Sequence, residues 1–151
     1  MPTATSSDKI YLSSEKKTEE LANKFIKKLS LGDIVFLYGE IGVGKTTFVR
    51  YLINGYQKVN NLELTEVTSP TFNLLNEYEI NEFKINHYDL FRLKSLDEIR
   101  NLNLFDDMLN SITLVEWPQI INEKPKNLIE LIFKYDENHQ QRSVQIIGIN
   151  L

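Results

Sequence analysis

Ile34-Val35-Phe36-Leu37-Tyr38, then Gly39-Glu40-Ile41-Gly42-Val43-Gly44-Lys45-Thr46, then a segment carrying Phe48, Val49, Leu52 and Ile53: this stretch decides the fold. Its first five residues form a continuous apolar run of strand length, which suits a parallel strand covered on both faces. Its last part predicts a helix from Thr46 to Asn54 with one apolar side, stopped by Gly55 just past its end. The eight residues between them fit G-x-x-x-x-G-K-[ST] in the context that pattern requires, after a buried strand and ahead of a helix.

A polyphosphate needs many donors converging in a small volume, and Cβ atoms would block the approach of the backbone. Gly39, Gly42 and Gly44 meet that need, and the start of the following helix adds free N–H groups and partial positive charge. Lys45 contributes a full charge near the β and γ phosphates, worth on the order of 4 kcal/mol at about 4 Å and an effective dielectric near 20, before desolvation. Thr46 supplies a hydroxyl for magnesium, and Thr47 is placed to donate to a phosphate. Magnesium is usually oriented by one or two carboxylates. Two acids stand where strands would deliver them to the carboxyl edge of a sheet: Glu116 after Ile112 to Val115, and Asp89 after Phe83 to Tyr88.

Working outward, 151 residues with 42% apolar and 25% charged side chains describe one ordinary packed domain. The absence of cysteine removes disulfides, thiolate nucleophiles and Cys-ligated metals, so the chemistry rests on oxygen and nitrogen. The longest strictly apolar stretch, Ile34 to Tyr38, is five residues, far below the roughly 20 needed to span a bilayer. No membrane partner is expected. Residues 1–8 lack a basic segment ahead of an apolar one and predict a disordered N-terminus, which with the rest points to a cytoplasmic address. A net charge of -4 argues against coating nucleic acid by electrostatics alone.

Ser13-Ser14 followed by Leu21, Ala22, Phe25, Ile26 and Leu29 at helical spacing predicts an amphipathic helix over Glu15 to Leu29, with Lys24, Lys27 and Lys28 on solvated positions. Gln57 to Thr68 is polar and aperiodic and reads as a surface loop leading to Ser69-Pro70-Thr71, a segment able to bring a hydroxyl to the γ phosphate or simply to turn the chain. Phe72 to Ile80 and Phe83 to Leu90 predict a hairpin through Asn81-Glu82. Ser95 with Glu98 predicts a capped short helix through Asn101. Ile112 to Val115, Leu128 to Tyr135 and Val144 to Ile149 predict further strands, the last two an antiparallel pair. Arg92 reads either as a neutraliser of developing charge or as a surface arginine. His87 reads as a packed strand residue, Trp117 as an aromatic lid beside Glu116, and His139 has no assigned role.

Four blocks in this order, GEIGVGKTTFVR over Gly39 to Arg50, SPTF over Ser69 to Phe72, HYDLFR over His87 to Arg92 and VEWP over Val115 to Pro118, resemble the TsaE (YjeE) family, the small P-loop ATPases of bacterial threonylcarbamoyladenosine synthesis on tRNA. The resemblance covers nearly the whole chain from about Leu12 onward. Phe91 and Val43 depart from it, standing where the family commonly has tyrosine and alanine. It implies a three-layer P-loop NTPase-like α/β fold with a central mixed, mostly parallel β-sheet, a single P-loop ATPase domain over residues 9–151. ATP would sit on Gly39, Glu40, Ile41, Gly42, Val43, Gly44, Lys45, Thr46 and Thr47. Magnesium would be held by Thr46 with Glu116, with Asp89 acting either on a metal-bound water or on the attacking water. Lys45, Asp89 and Glu116 are the candidate catalytic residues; Ser69, Thr71, Arg92 and Trp117 are candidates for a switch or a partner contact.

The implied activity is Mg-dependent ATP hydrolysis, weak without partners, supporting threonylcarbamoyl transfer to the adenosine next to the tRNA anticodon by TsaD-like and TsaB-like proteins. The tRNA is then an indirect partner through the complex, and the chain near Glu15 and Thr18 lies close to the adenine. Two alternatives remain at the level of sequence. A small-molecule or nucleotide kinase uses the same loop, but the chain has only Arg50, Arg92, Arg100 and Arg142 as arginines and no evident lid segment. A nucleotide-dependent adaptor without autonomous turnover differs only in where the catalytic power resides.

Overall fold

α1 (Glu15–Lys28) starts where Ser14 leaves the extended region, its Oγ accepting from Lys17 N at 3.3 Å, and ends with Lys27 and Lys28 against the negative end of the helix dipole. The computed structural model describes residues 9–106 and 108–151. The predicted disordered segment 1–8 lies outside the described residues. Ahead of α1, Ile10–Tyr11 forms a short strand, β1, which two residues of sequence could not announce. β2 (Ile34–Tyr38) is followed by the glycine loop and by α2 (Lys45–Val59).

α2 passes straight through Gly55, where the sequence predicted its end. The physical reason is the neighbouring helix: a Cβ on Gly55 would lie 2.3 Å from Ile26 Cδ1 of α1, so the glycine permits a close helix crossing instead of terminating one. The helix therefore consumes the first residues of the predicted Gln57 to Thr68 loop. Gln57 is 3% exposed, with its amide donating to Thr65 Oγ1 at 3.0 Å and accepting from Thr65 N at 3.2 Å. Val67 from the same stretch is also in the core, so only part of it is surface loop.

β3 (Leu75–Ile80) and β4 (Phe83–Asp89) form the predicted hairpin, with Asn81 in the left-handed region at φ 55°. β3 begins later than predicted because residues 70–74 form a turn closed by Leu74 N donating to Pro70 O at 2.7 Å. α3 (Leu96–Arg100) has the predicted Ser95 cap, its Oγ accepting from Glu98 N at 3.3 Å, while the Glu98 carboxylate reaches back to Lys94 N at 3.2 Å, one residue ahead of the N–H a capping box would use. β5 (Ser111–Glu116), β6 (Leu128–Tyr135) and β7 (Arg142–Ile147) complete the sheet.

The strand order is β1-β7-β6-β2-β5-β4-β3. The inner pairs β6-β2, β2-β5 and β5-β4 are parallel, and both flanks are antiparallel. This is the expected mixed α/β sheet with a parallel centre. α1 and α2 cover one face over a core that includes Phe25, Phe48 and Phe133, with Phe25 edge-on to Phe48 at 5.3 Å. Truncating Phe48 to alanine would cost about 3–5 kcal/mol. The opposite face, around Phe36, Tyr88, Leu90, Leu104 and Val115, packs against Leu93, Ile99, Phe105 and Ile121 from α3 and irregular chain. Among the described residues no helix is long and apolar enough to cross a membrane.

Candidate functional site

Three parallel strands end at one edge of the sheet, and their register brings the chemistry together. Leu37 of β2 pairs with Glu116 of β5, and Asp89 of β4 pairs with the same Glu116. The loop leaving β2 turns directly across this edge. Gly39 sits at φ 148°, and a Cβ there would meet Val43 Cγ1 at 2.7 Å and Phe133 O at 2.9 Å, so this bend accepts glycine alone. Gly44 caps α2 without a side-chain hydrogen bond, and no acid stands in the first turn, so the helix presents its positive end unanswered. Tyr135, at the end of β6, donates its hydroxyl to Gly42 O at 2.7 Å and ties the loop to the sheet.

A cavity of about 310 Å³ opens above the edge. Ile41, Gly42, Gly44, Lys45, Thr46 and Thr47 line it from the loop side; Ser69, Thr71, Asp89, Phe91, Glu116 and Trp117 line it from the other. Of the remaining predicted loop residues, Gly39 contributes its carbonyl to Lys45, Val43 is fully buried in the core, and Glu40 is exposed. Arg92, the other predicted candidate, is not among the residues that line the cavity. Its Nε donates to Thr71 O at 2.8 Å and its Nη2 to Phe72 O at 2.6 Å, so it fastens the 69–72 segment.

Lys45 is 4% exposed, donates to Gly39 O, and lies 3.6 Å from the centroid of the Trp117 ring. Burial pulls its ammonium below the ordinary lysine range, opposed by the charges of Glu116 and then Asp89. Thr46 Oγ1 donates to the carboxylate of Glu116, 3.1 Å from each oxygen. Glu116, 2% exposed, also meets His87 Nε2 at 2.7 Å. Asp89, 3% exposed, accepts from Ser69 Oγ and from Thr71 Oγ1 at 3.2 Å on one oxygen and from Phe91 N at 3.0 Å on the other. Phe91 packs against Trp117 with the rings tilted at 56° and their centroids 4.8 Å apart.

The cation balance is one lysine facing two buried carboxylates, a deficit that a divalent ion would correct. The donor set fits magnesium. Thr46 spends its hydrogen on Glu116 and so keeps its lone pairs for a cation. Among the described residues no group of three or more His, Asp or Glu converges to hold a metal alone. That suits an ion that retains waters and takes the rest of its shell from phosphate.

A second cavity of about 260 Å³ shares Gly44 and Thr47 with the first and is also lined by Ser13 and Ser14 ahead of α1, Glu15 and Thr18 at its start, His139 and Gln140 from the β6–β7 connection, and Arg142 at the start of β7. Sequence reasoning gave His139 no place and missed Tyr135 altogether. The signal for Tyr135 was its position at the end of β6, the strand that runs parallel beside β2 and so ends next to the glycine loop. The contact of His87 with Glu116 was also missed, although alternation along β4 puts residues 87 and 89 on one face.

The sequence matches the profile of a family described as "Threonylcarbamoyl adenosine biosynthesis protein TsaE" over residues 12–144. It is 43% identical over 124 residues to the tRNA threonylcarbamoyladenosine biosynthesis protein TsaE of Rickettsia bellii, covering 82% of this chain and 83% of that protein. It is 36% identical over 137 residues to the protein of the same name from Aquifex aeolicus, covering 91% and 93%. The crystal structure of Bacillus subtilis YdiB superposes with a TM-score of 0.71 at 20% identity, covering 99% of this chain and 90% of that one, and shares the fold.

Proposed function

The chain belongs to the TsaE family, and from that premise and the geometry of the cleft we propose that it is a magnesium-dependent ATPase supporting threonylcarbamoyl transfer to the adenosine next to the anticodon of tRNA. Its relatives are named for tRNA threonylcarbamoyladenosine biosynthesis, and the transfer itself falls to TsaD-type and TsaB-type partners in this reading. One observation carries it: Lys45 and Thr46, at the end of a glycine bend, face Glu116 and Asp89 across one cavity.

In this reading the triphosphate lies along the loop amides and the start of α2, and the nucleoside occupies the adjoining cavity beside Ser14, Glu15 and Thr18. Lys45 exchanges its bond to Gly39 O for the β and γ phosphates, and Thr47 donates to a phosphate oxygen. Thr46 and Glu116 hold the magnesium, which supplies charge neutralisation at the γ phosphate. Asp89 orients the attacking water, because its Oδ2 is held by loop hydroxyls that a phosphate can draw away, while Glu116 is committed to Thr46. The products are ADP and inorganic phosphate.

Turnover is weak without partners, and Arg92 supports that part of the reading: both its polar contacts go to backbone carbonyls of the chain, leaving Lys45 as the cation that faces the phosphates. Incubation with γ-labelled ATP tests the proposal. Label is expected in free phosphate, only with magnesium, and faster with TsaB-type and TsaD-type proteins added. Label transferred to an acceptor would make the chain a kinase, and absence of both release and magnesium-dependent binding would refute the assignment.

A further inference from the structure

His87 is a buried polar group that the reading above leaves unused. It is 0% exposed and stands two residues before Asp89 on β4, on the same face of the sheet. Its Nε2 lies 2.7 Å from Glu116 Oε2, while its Nδ1 has no partner among the described residues. A carboxylate can only accept, so Nε2 carries the hydrogen. A buried nitrogen without a partner is a cost that an apolar side chain of similar size would avoid, so packing alone does not account for an imidazole at this position.

The other end of the contact shows what the imidazole does. A glutamate side chain has three rotatable bonds, and the bifurcated bond from Thr46 Oγ1 leaves the carboxylate free to pivot about the hydroxyl. A second donor, from a different element, removes that freedom. Thr46 approaches from α2 and His87 from β4, so the two together fix the plane of the carboxylate against helix and sheet at once.

We propose that His87 is a positioning residue for the cation: through its Nε2–H it anchors Oε2 of Glu116, whose carboxylate Thr46 meets on both oxygens, and so leaves Oε1 for the metal of the bound nucleotide. This rests on the assignment of Glu116 and Thr46 to magnesium made above. His87 does not touch nucleotide, water or metal; it acts through Glu116.

Two measurements test it. The chain has two histidines, His87 and His139, so long-range nitrogen–proton correlation spectra of the nucleotide-free protein are readily assigned. The Nε2–H tautomer is expected at His87, and a tautomer protonated only at Nδ1 would overturn the proposal whatever the nucleotide site does. The second measurement is calorimetry of ADP binding across a range of magnesium concentrations, with His87 replaced by Gln, whose amide nitrogen falls near Nε2, by Asn, whose nitrogen falls near Nδ1, and by Leu. His87→Leu and His87→Asn are expected to raise the half-saturating magnesium concentration about tenfold or more, and His87→Gln to stay within about threefold of the unaltered chain. Binding in the presence of a chelator should be the same in all four proteins. If thermal melting shows that the Leu variant does not fold, the Gln and Asn variants decide between them. Wild-type magnesium dependence in the Leu variant, or equal impairment by Gln and Asn, would remove the role of His87 while leaving the cleft assignment standing. Nucleotide binding by the unaltered chain that is indifferent to magnesium would remove both.

Discussion

Asp89 and Glu116 end neighbouring strands in register and are almost equally buried, at 3% and 2% exposure, yet they are held by different kinds of structure. Glu116 is bonded to Thr46 on α2 and to His87 on β4, both within regular elements whose displacement would open the core. Asp89 is bonded through one oxygen to Ser69 and Thr71, on a segment held by Arg92 and by the backbone bonds from Leu74 N to Pro70 O and from Asp89 N to Leu74 O, and through the other to Phe91 N. Strand ends place both acids at the same edge, but their partners differ in how easily they can leave. An acid fixed to the scaffold suits a cation that stays through the cycle; an acid fixed to a loop suits a step at which the loop exchanges partners.

The largest expected effect separates the two acids directly. Glu116→Ala should cost both magnesium-dependent nucleotide binding and turnover, the latter by about 10³-fold or more, as expected when a group organising transition-state charge is lost. Asp89→Ala should lower turnover by about 10²–10³-fold while magnesium-dependent binding stays near that of the unaltered chain. Phosphate release and calorimetry on each variant measure the two quantities. Equal loss of magnesium-dependent binding in both would abolish the distinction between a scaffold acid and a loop acid.

A smaller effect is expected from the loop itself. Removing both hydroxyls with Ser69→Ala and Thr71→Ala deletes two donors to Asp89, each worth about 1 kcal/mol net, so local opening should become roughly thirtyfold more frequent. Amide exchange at Leu74 N and at Phe91 N, which donates to Asp89 Oδ1, should accelerate accordingly. Exchange at Trp117 N, which donates to Leu37 O next to Glu116, should not change. Uniform acceleration at all three sites would mean that the cleft opens as one unit.

Much of this arrangement was legible in the sequence, and the boundary of what was legible is physical. The strand, glycine bend and helix between Ile34 and Ile53 announced themselves because each level agrees: an apolar run, glycines where the backbone takes positive φ, and a one-sided apolar pattern. Asp89 and Glu116 were found because each ends a predicted strand. What depends on contact between distant segments was not legible. Gly55 has the composition of a helix end, and only the approach of Ile26 makes it a crossing point. The orientation of Arg92 toward carbonyls follows from the turn at residues 70–74, whose left-handed Leu74 no pattern of residue types predicts. His87 looked like packing because its partner is 29 positions away and becomes a neighbour only through the parallel pairing of β4 with β5.

The smallest effect concerns the lysine between the two acids. Burial lowers the Lys45 ammonium from its ordinary range, and Glu116 opposes this more strongly than Asp89 does. A lysine lowered in this way binds its proton less well folded than unfolded. Folding is therefore penalised in full below the folded value, and the penalty fades as pH rises from there toward the ordinary lysine value. Lys45→Met should accordingly melt higher than the unaltered chain at neutral pH while losing nucleotide binding, with the gap closing as the solution becomes alkaline. The same substitution then compares the two carboxylates without any ligand present. Because Glu116 does more to offset the burial, neutralising it with Glu116→Gln should deepen the penalty on Lys45 more than Asp89→Asn does. The gain from Lys45→Met should be larger in the first background than in the second, read as melting temperatures across pH. Equal gains would make the two acids equivalent in the field that Lys45 feels, and the difference between them would then lie in the mobility of their partners alone.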